Sequence, residues 1–393
     1  MIQYSIDEIQ PGMVVARSVL GSGSGLQLAA GFVLDEAVIL RCKKMGMRSL
    51  WIKPEGEDEL PAGNINDQLS LQAQQAWKEN MDLLEKIGET QDSTLENLTK
   101  FTSDPGRFKD IVATANLKNI VDQIIKSILG QEPLVVNLAS IRTADGYLHQ
   151  HALDVTITAT MIAQRLKFPL QDIQELALGC FLMDLGMIVV PKGFFEKKEP
   201  PTLKEIHALQ EHPTVGFTIL RANANVPINA AHVAFQHHEC LDGTGYPRGL
   251  KDSNTFPLKS LHSAVGSIHR YAQVAAVADM YLSSISPRPG IKPLTPLEAM
   301  HKLISEAGVH LNSHVVNALI TLIPVFPTGT RIVVTKAPQA LLIGYVGVVA
   351  KANLKDREKP QIILFLDKFN RKIKPILVDL AQEKDIVIQF TSL

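Results

Sequence analysis

Residues Gln236–Leu250 read QHHECLDGTGYPRGL. Two adjacent histidines, His237 and His238, close an apolar stretch, Val226–Phe235, that reads as a helix. Side chains one residue apart on a helix diverge by about 100°. Both imidazoles can therefore serve one site only where the helix ends and the backbone turns. The DGTGYP that follows supplies such a turn, with glycines for positive φ and a proline for stiffness. The stretch predicts a helix end that delivers a histidine pair, followed by a tight loop through Gly245, Tyr246 and Pro247.

Further candidates lie upstream and downstream. His212, followed by Pro213, is expected to open a helix over Thr214–Leu220, and His151 lies in a helix running about Leu148–Leu166. All 12 histidines fall between His149 and His314, which marks the middle of the chain as the place for chemistry. Two acids there stand in apolar surroundings. Asp184 is the only charge in Leu176–Val190, LALGCFLMDLGMIVV, which reads as a buried helix, and Asp279 is alone in Val274–Leu282, VAAVADMYL. An ionised carboxylate buried without a partner costs several kcal/mol, so each must be paired, protonated or bound to a metal. An arginine partner or a helix end at the surface would explain one such acid. Two of them, in the segment that holds every histidine, favour a metal.

Composition narrows the class. The 393 residues carry 39 Lys and Arg against 40 Asp and Glu, a net charge of −1. That balance argues against a chain-wide electrostatic grip on nucleic acid or on an anionic membrane. Aromatics make up 6% and no basic stripe is interleaved with them, so nucleic-acid binding is not expected. Hydrophobic residues at 46% and charged ones at 20% suit a soluble protein with a sizeable core. Cys42, Cys180 and Cys240 are far apart and odd in number, so no disulfide framework is implied and a reducing cytoplasm is the expected compartment. The apolar run Leu176–Val190 is shorter than the roughly 20 residues that span a bilayer. The first residues lack a signal-peptide core. No membrane segment is expected.

The periodicities divide the chain into a mainly α protein with two small flanking domains. Residues 1–54 read as a mixed α/β domain, with GSGSG at 21–25 as a hairpin loop, a short helix opened by Asp35 and a strand at Ser49–Lys53. Residues 55–66 form an acidic, proline-punctuated linker. Leu69, Ala73, Trp77, Met81 and Leu84 mark an amphipathic helix from Asp67 to about Ile87. A second stripe runs Phe108, Ile111, Ala115, Ile120, Ile124, Ile128, entered through Asp104 and Pro105. The helical text extends over 67–323. Residues 324–393 read as a small β domain, with strands at Arg331–Val334, Leu342–Val349 and Gln361–Leu366.

Together, the upstream His151, the Asp184 dipeptide, His212-Pro213, HHECLDGTGYP and Asp279 in its VAD context resemble the HD-GYP family of HD-domain metal phosphohydrolases. The resemblance covers roughly Tyr147 to Asn317 and places the HD-GYP domain at about 130–323. It implies an HD-type helical bundle around two or three divalent metals, usually iron or manganese. It also implies hydrolysis of the bacterial messenger cyclic di-GMP. Carried over, the metal ligands are His151, Asp184, His212, His237, His238 and Asp279, with Asp184 bridging two ions and a bridging hydroxide attacking phosphorus in line. Gly245, Tyr246 and Pro247 form the signature loop at the substrate entrance, and Arg288 matches a phosphate-binding arginine. Family members often dimerise and often partner with diguanylate cyclases through this loop, so a homodimer and such a partner are expectations.

Several family positions are altered. Met183 precedes Asp184 where the family has a metal-binding histidine, and a thioether is a soft ligand ill suited to Fe or Mn. Met187 replaces a lysine that contacts phosphate, Leu282 replaces an acid, and Gln273 replaces an arginine. An insertion around Lys259–Tyr271 carries His262 and His269, which are candidates to replace the lost ligand. One metal, held by Asp184, His212, His237 and His238, is expected to be firm. The second, left with His151, Asp184 and Asp279, is expected to be weak or empty. Loss of two contacts aimed at the transition state, each worth around 10²–10³ in rate, favours a degenerate phosphodiesterase acting as a sensor or interaction module. An active phosphodiesterase with a modified centre and a metal-free scaffold are the alternatives.

Overall fold

The structure, a computed structural model, describes residues 2–16, 28, 31–44, 49–53, 65, 67–87, 106, 114–130, 147–191, 193–197, 199–256, 266–286, 290–326, 329–338, 342–353, 356–383 and 385–391. The hairpin loop at 21–25, most of the linker, Asp104, Pro105, Phe108, Ile111, His262 and Arg288 lie outside them. The chain forms two compact units, one from the two ends of the chain and one from its middle, with the boundary at residues 320 and 321 on the C-terminal side.

The first unit holds two antiparallel sheets. Strands β1 (Ile2–Ser5), β2 (Val14–Val15) and β3 (Ser49–Lys53) pair in the order β1-β3-β2. Helix α1 (Glu36–Lys44) is capped by Asp35, whose Oδ1 accepts the Val38 N–H at 2.7 Å. Ile6, Ile9, Val15, Leu34, Ile39, Cys42, Leu50 and Ile52 make its core. The C-terminal sheet has five strands: β4 (Arg331–Lys336), β5 (Val346–Lys351), β6 (Gln361–Leu366), β7 (Lys372–Asp379) and β8 (Val387–Phe390), in the order β7-β6-β5-β4-β8. Ile332 and Val334, Ile362 and Leu364 are buried in alternation with half-exposed neighbours, as a sheet with one covered face requires. The run from Leu342 becomes a strand only at Val346. β7 and β8 were not read from the sequence.

The second unit is helical among its described residues: α2 (Asp67–Ile87), α3 (Thr114–Leu129), α4 (Tyr147–Arg165), α5 (Leu170–Leu182), α6 (Leu203–Arg221), α7 (Ile228–Gln236), α8 (Arg270–Ser284), α9 (Pro296–Glu306) and α10 (Ser313–Leu322), which ends at the unit boundary. α4 and α8 are buried almost all round, the mark of helices at the centre of a bundle. Thr156 and Thr160 of α4 return their hydroxyls to the carbonyls of Ala152 and Thr156, so burying them leaves no donor unmet.

Two helix readings are corrected. Leu176–Val190 is not one α-helix. α5 ends at Leu182 and the chain tightens into a 3-10 helix over Met183–Val189. The reason is packing against α6: a Cβ on Gly186 would lie 1.9 Å from the His212 carbonyl oxygen. Only glycine allows this approach of the two backbones. Nor does His212-Pro213 open a helix. α6 begins ten residues earlier at a Thr202–Glu205 capping box, and Pro213 sits inside it.

Candidate metal centre

The internal proline of α6 explains how His212 is aimed. Pro213 has no N–H to give the carbonyl four residues back. That carbonyl, of Leu209, instead accepts the His212 Nδ1–H. At the end of α7, where the backbone leaves the helix, His237 Nδ1 donates to the carbonyls of Val233 and Ala234, both at 3.0 Å. A carbonyl only accepts, so both rings carry their proton on Nδ1 and turn a bare Nε2 inward. The two Nε2 atoms face each other at 3.2 Å. Two lone pairs at that distance repel unless a proton or a cation joins them. Burial opposes the proton: it presses His212 down to about 3. It also presses His238 well below its ordinary value, with the charges of His237 and His212 adding to the effect.

The other candidates converge on the same place. Asp184 Oδ1 stands 3.5 Å from His212 Nε2 and 3.8 Å from His237 Nε2, and its Oδ2 is 3.9 Å from His151 Nε2. His151 Nε2 is 2.8 Å from Asp279 Oδ1, which also accepts the Ser283 hydroxyl at 2.9 Å. His238 Nδ1 lies 4.0 Å from Asp279 Oδ2. Thus His151, Asp184, His212, His237, His238 and Asp279 are gathered from α4, the 3-10 helix, α6, the end of α7 and α8. His212, His237 and His238 each offer a ligand atom, all within 4.8 Å of one another, and could hold a metal ion.

The electrostatics ask for positive charge. Among the described residues no lysine or arginine lies within ion-pair distance of Asp184 or Asp279. Burial pushes the Asp184 carboxyl up, against the pull of His151 and His237. Burial pushes Asp279 up too, but the His151 hydrogen bond and the charges of His151, His238 and His237 outweigh it and hold it well below the carboxylate range. Neutral imidazoles and buried carboxylates are the donor set of a borderline divalent ion.

The signature loop is built onto the histidine pair. Tyr246 stacks on His238 with centroids 4.7 Å apart, and its N–H bonds the His238 carbonyl at 3.1 Å. A Cβ on Gly245 would come within 2.4 Å of that same carbonyl oxygen. Pro247 follows through a cis bond. Glu239, to which the sequence reading gave no role, is buried and accepts the N–H groups of Arg248 at 2.8 Å and Leu250 at 2.7 Å. A lone acid beside two candidate ligand histidines was its only signal. From outside, His310 bridges Glu306 and Asp242, with Asp242 at 3.3 Å, and Asp242 in turn caps Thr244.

Three of the altered positions are filled with core. Met183 and Leu282 are 0% exposed. Met187 packs on Val190, Phe194 and Ala208. Gln273 is occupied by Asp252, the Ile268 carbonyl and Asn312. His269 does not reach the cluster. It caps α8 and stacks on His232 at 5.8 Å.

Residues 124–315 match the family model of the HD domain (HD_5). The chain is 27% identical to the cyclic di-GMP phosphodiesterase PA4108 of Pseudomonas aeruginosa, over 72% of this chain and 64% of that protein. It is 31% identical to a cyclic di-GMP phosphodiesterase of Thermotoga maritima, over 44% of each. These matches span less than two thirds of either relative. Among solved structures, Bd1817, an HDG"Y"P protein from Bdellovibrio bacteriovorus, superimposes with a TM-score of 0.40 at 15% identity, covering 81% of this chain and 97% of that one. The helical middle of the chain is an HD domain. With its HHECLDGTGYP block, the chain is similar to the cyclic di-GMP phosphodiesterases it matches and to HD-domain phosphohydrolases. No described helix is long and apolar enough to cross a membrane.

Proposed function

We propose that this chain is a degenerate HD-GYP protein of cyclic di-GMP signalling, which keeps one firm metal site and has little or no diesterase activity. Its role is then to sense the nucleotide or to engage a partner. The carrying observation is the pair Met183–Asp184: the acid lies among three imidazoles, while the side chain before it is an apolar thioether sealed in the core. The firm site is His212, His237, His238 and Asp184. A divalent ion held there supplies Lewis-acid charge stabilisation and an activated water. The chain's own part is to fix the His212 and His237 rings through backbone carbonyls with Nε2 turned inward, to keep the carboxylates dry, and to present the loop at Gly245–Pro247 over His238. Met187 cannot give a phosphate the charge that a lysine gives. Nucleotide turnover therefore lacks two of its stabilising contacts, while nucleotide binding keeps the loop.

A working phosphodiesterase with a modified centre is the second reading, supported by the convergence of all six candidate ligands. A metal-free scaffold is opposed by two buried acids with no described lysine or arginine beside them. Cyclic di-GMP hydrolysis, assayed without oxygen in the presence of Fe(II) or Mn(II), separates the readings. Turnover at least about 10²-fold below an intact relative is expected, and equal turnover overturns the degenerate reading. In the double variant Met183→His, Met187→Lys, bound metal per chain should rise.

A further inference from the structure

The turn between β6 and β7, residues 367–371, belongs to the first unit. Buried Asp367 holds it. One carboxylate oxygen accepts the N–H groups of Phe369 and Arg371 at 2.9 Å each, and the other accepts the Arg371 guanidinium at 2.8 Å. Asn370 takes a left-handed φ of 58°, which an asparagine tolerates better than most residues. On this rigid turn Phe369 is 65% exposed. The head groups of Lys368 and Arg371 stand over its ring at 5.2 and 5.0 Å. Along β7, Lys372 and Lys374 are exposed, and so are Ile376 and Leu377. From Lys368 to Val378, KFNRKIKPILV, there are cations and no acid.

β7 is an edge strand, and lysine and proline on an edge guard against strand-to-strand aggregation. That accounts for Lys372, Lys374 and Pro375. It does not account for Phe369 and Leu377, which a merely protective edge would make polar. A turn held stiff by Asp367 that carries an aromatic ring between two cations has the chemistry of a lipid interface: the ring enters the headgroup layer and the cations meet the phosphates. Addition of a partner's strand is disfavoured, because Pro375 has no N–H to give. We propose that the β6–β7 hairpin docks the protein on an anionic lipid surface. The chain's near-neutral total charge does not oppose this, since attraction to such a surface falls off within about a Debye length and is local to the tip.

The full chain is mixed with vesicles of phosphatidylcholine alone or of phosphatidylcholine with phosphatidylserine, and bound protein is measured by sedimentation. Binding to the serine-containing vesicles only, weakened by salt, is expected. Each cation near the surface contributes on the order of fivefold in affinity, so Lys368→Gln should weaken it roughly fivefold. Phe369→Ala should weaken it several-fold at unchanged melting temperature. Metal content stays at the parent's value in both variants, so this test is separate from the metal reading. No binding to either vesicle overturns the proposal. So does binding indifferent to these substitutions, or competition by poly-glutamate that is insensitive to Phe369→Ala, which would make the tip a site for acidic protein.

Discussion

Pro213 sits inside α6, where a proline ordinarily costs a helix about 3 kcal/mol. Here it frees the Leu209 carbonyl for the His212 ring. Pro213→Ala should therefore stabilise the helix yet weaken metal binding by about tenfold, the lower end of what loss of a ligand's orienting partner costs. Metal titration alongside thermal melting checks this, and stronger binding in the variant would refute it. Much at this scale was legible. His237 and His238 were read as a pair at a helix end, and the structure puts His237 at the cap of α7. Asp184 and Asp279 were read as lone acids in apolar text. The role of Pro213 was hidden, because a His-Pro pair reads as a helix start until the capping box at Thr202 is weighed against it. The role of Glu239 was hidden because its partners, Arg248 and Leu250, become neighbours only once the loop has turned.

Two elements set the geometry of the site. The 3-10 helix Met183–Val189 lies so close to α6 that no side chain fits at Gly186. Gly186→Ala should cost about 2–3 kcal/mol through overpacking, and should lower bound metal by parting Asp184 from His212. A melting temperature equal to the parent's would contradict this. The shift from α to 3-10 geometry was not legible, since the apolar text continues unbroken through Leu182 and only the neighbouring helix imposes the change. The signature loop is held from inside by Glu239 and from outside by His310. The hydrogen bond to Glu306, then the charges of Glu306 and Asp242, lift His310 above its ordinary 6.5. A raised folded value means that this clasp is fully present below about pH 6.5 and is lost as pH rises through the higher, folded value. Because His310 is partly exposed, the effect is small. The melting-temperature gap between the parent and His310→Gln should be widest in mild acid and close in mild alkali. A gap that is constant with pH would exclude the clasp.

At the scale of the molecule, the span of α2 and the switch to β text after Pro324 were legible, because amphipathic stripes and β-branched runs are local signals. β7 was not, since most of its side chains face solvent and it lacks the alternation of a half-buried strand. Nor was the joining of both chain ends in one compact unit, which depends on contacts hundreds of residues apart, such as Arg331 over Tyr4 at 4.6 Å. Metal that binds only the folded helical unit must stabilise it, by about 2.7 kcal/mol at a hundredfold excess over Kd. Chelation should accordingly lower the melting temperature followed by far-ultraviolet circular dichroism, and Mn(II) should restore it. The most direct test is the number of divalent ions retained per chain, measured by elemental analysis on the parent and on Met183→His. One ion in the parent and a gain towards two in the variant is the expected result. A parent that retains none after exposure to Fe(II) or Mn(II), or already holds two, contradicts the account.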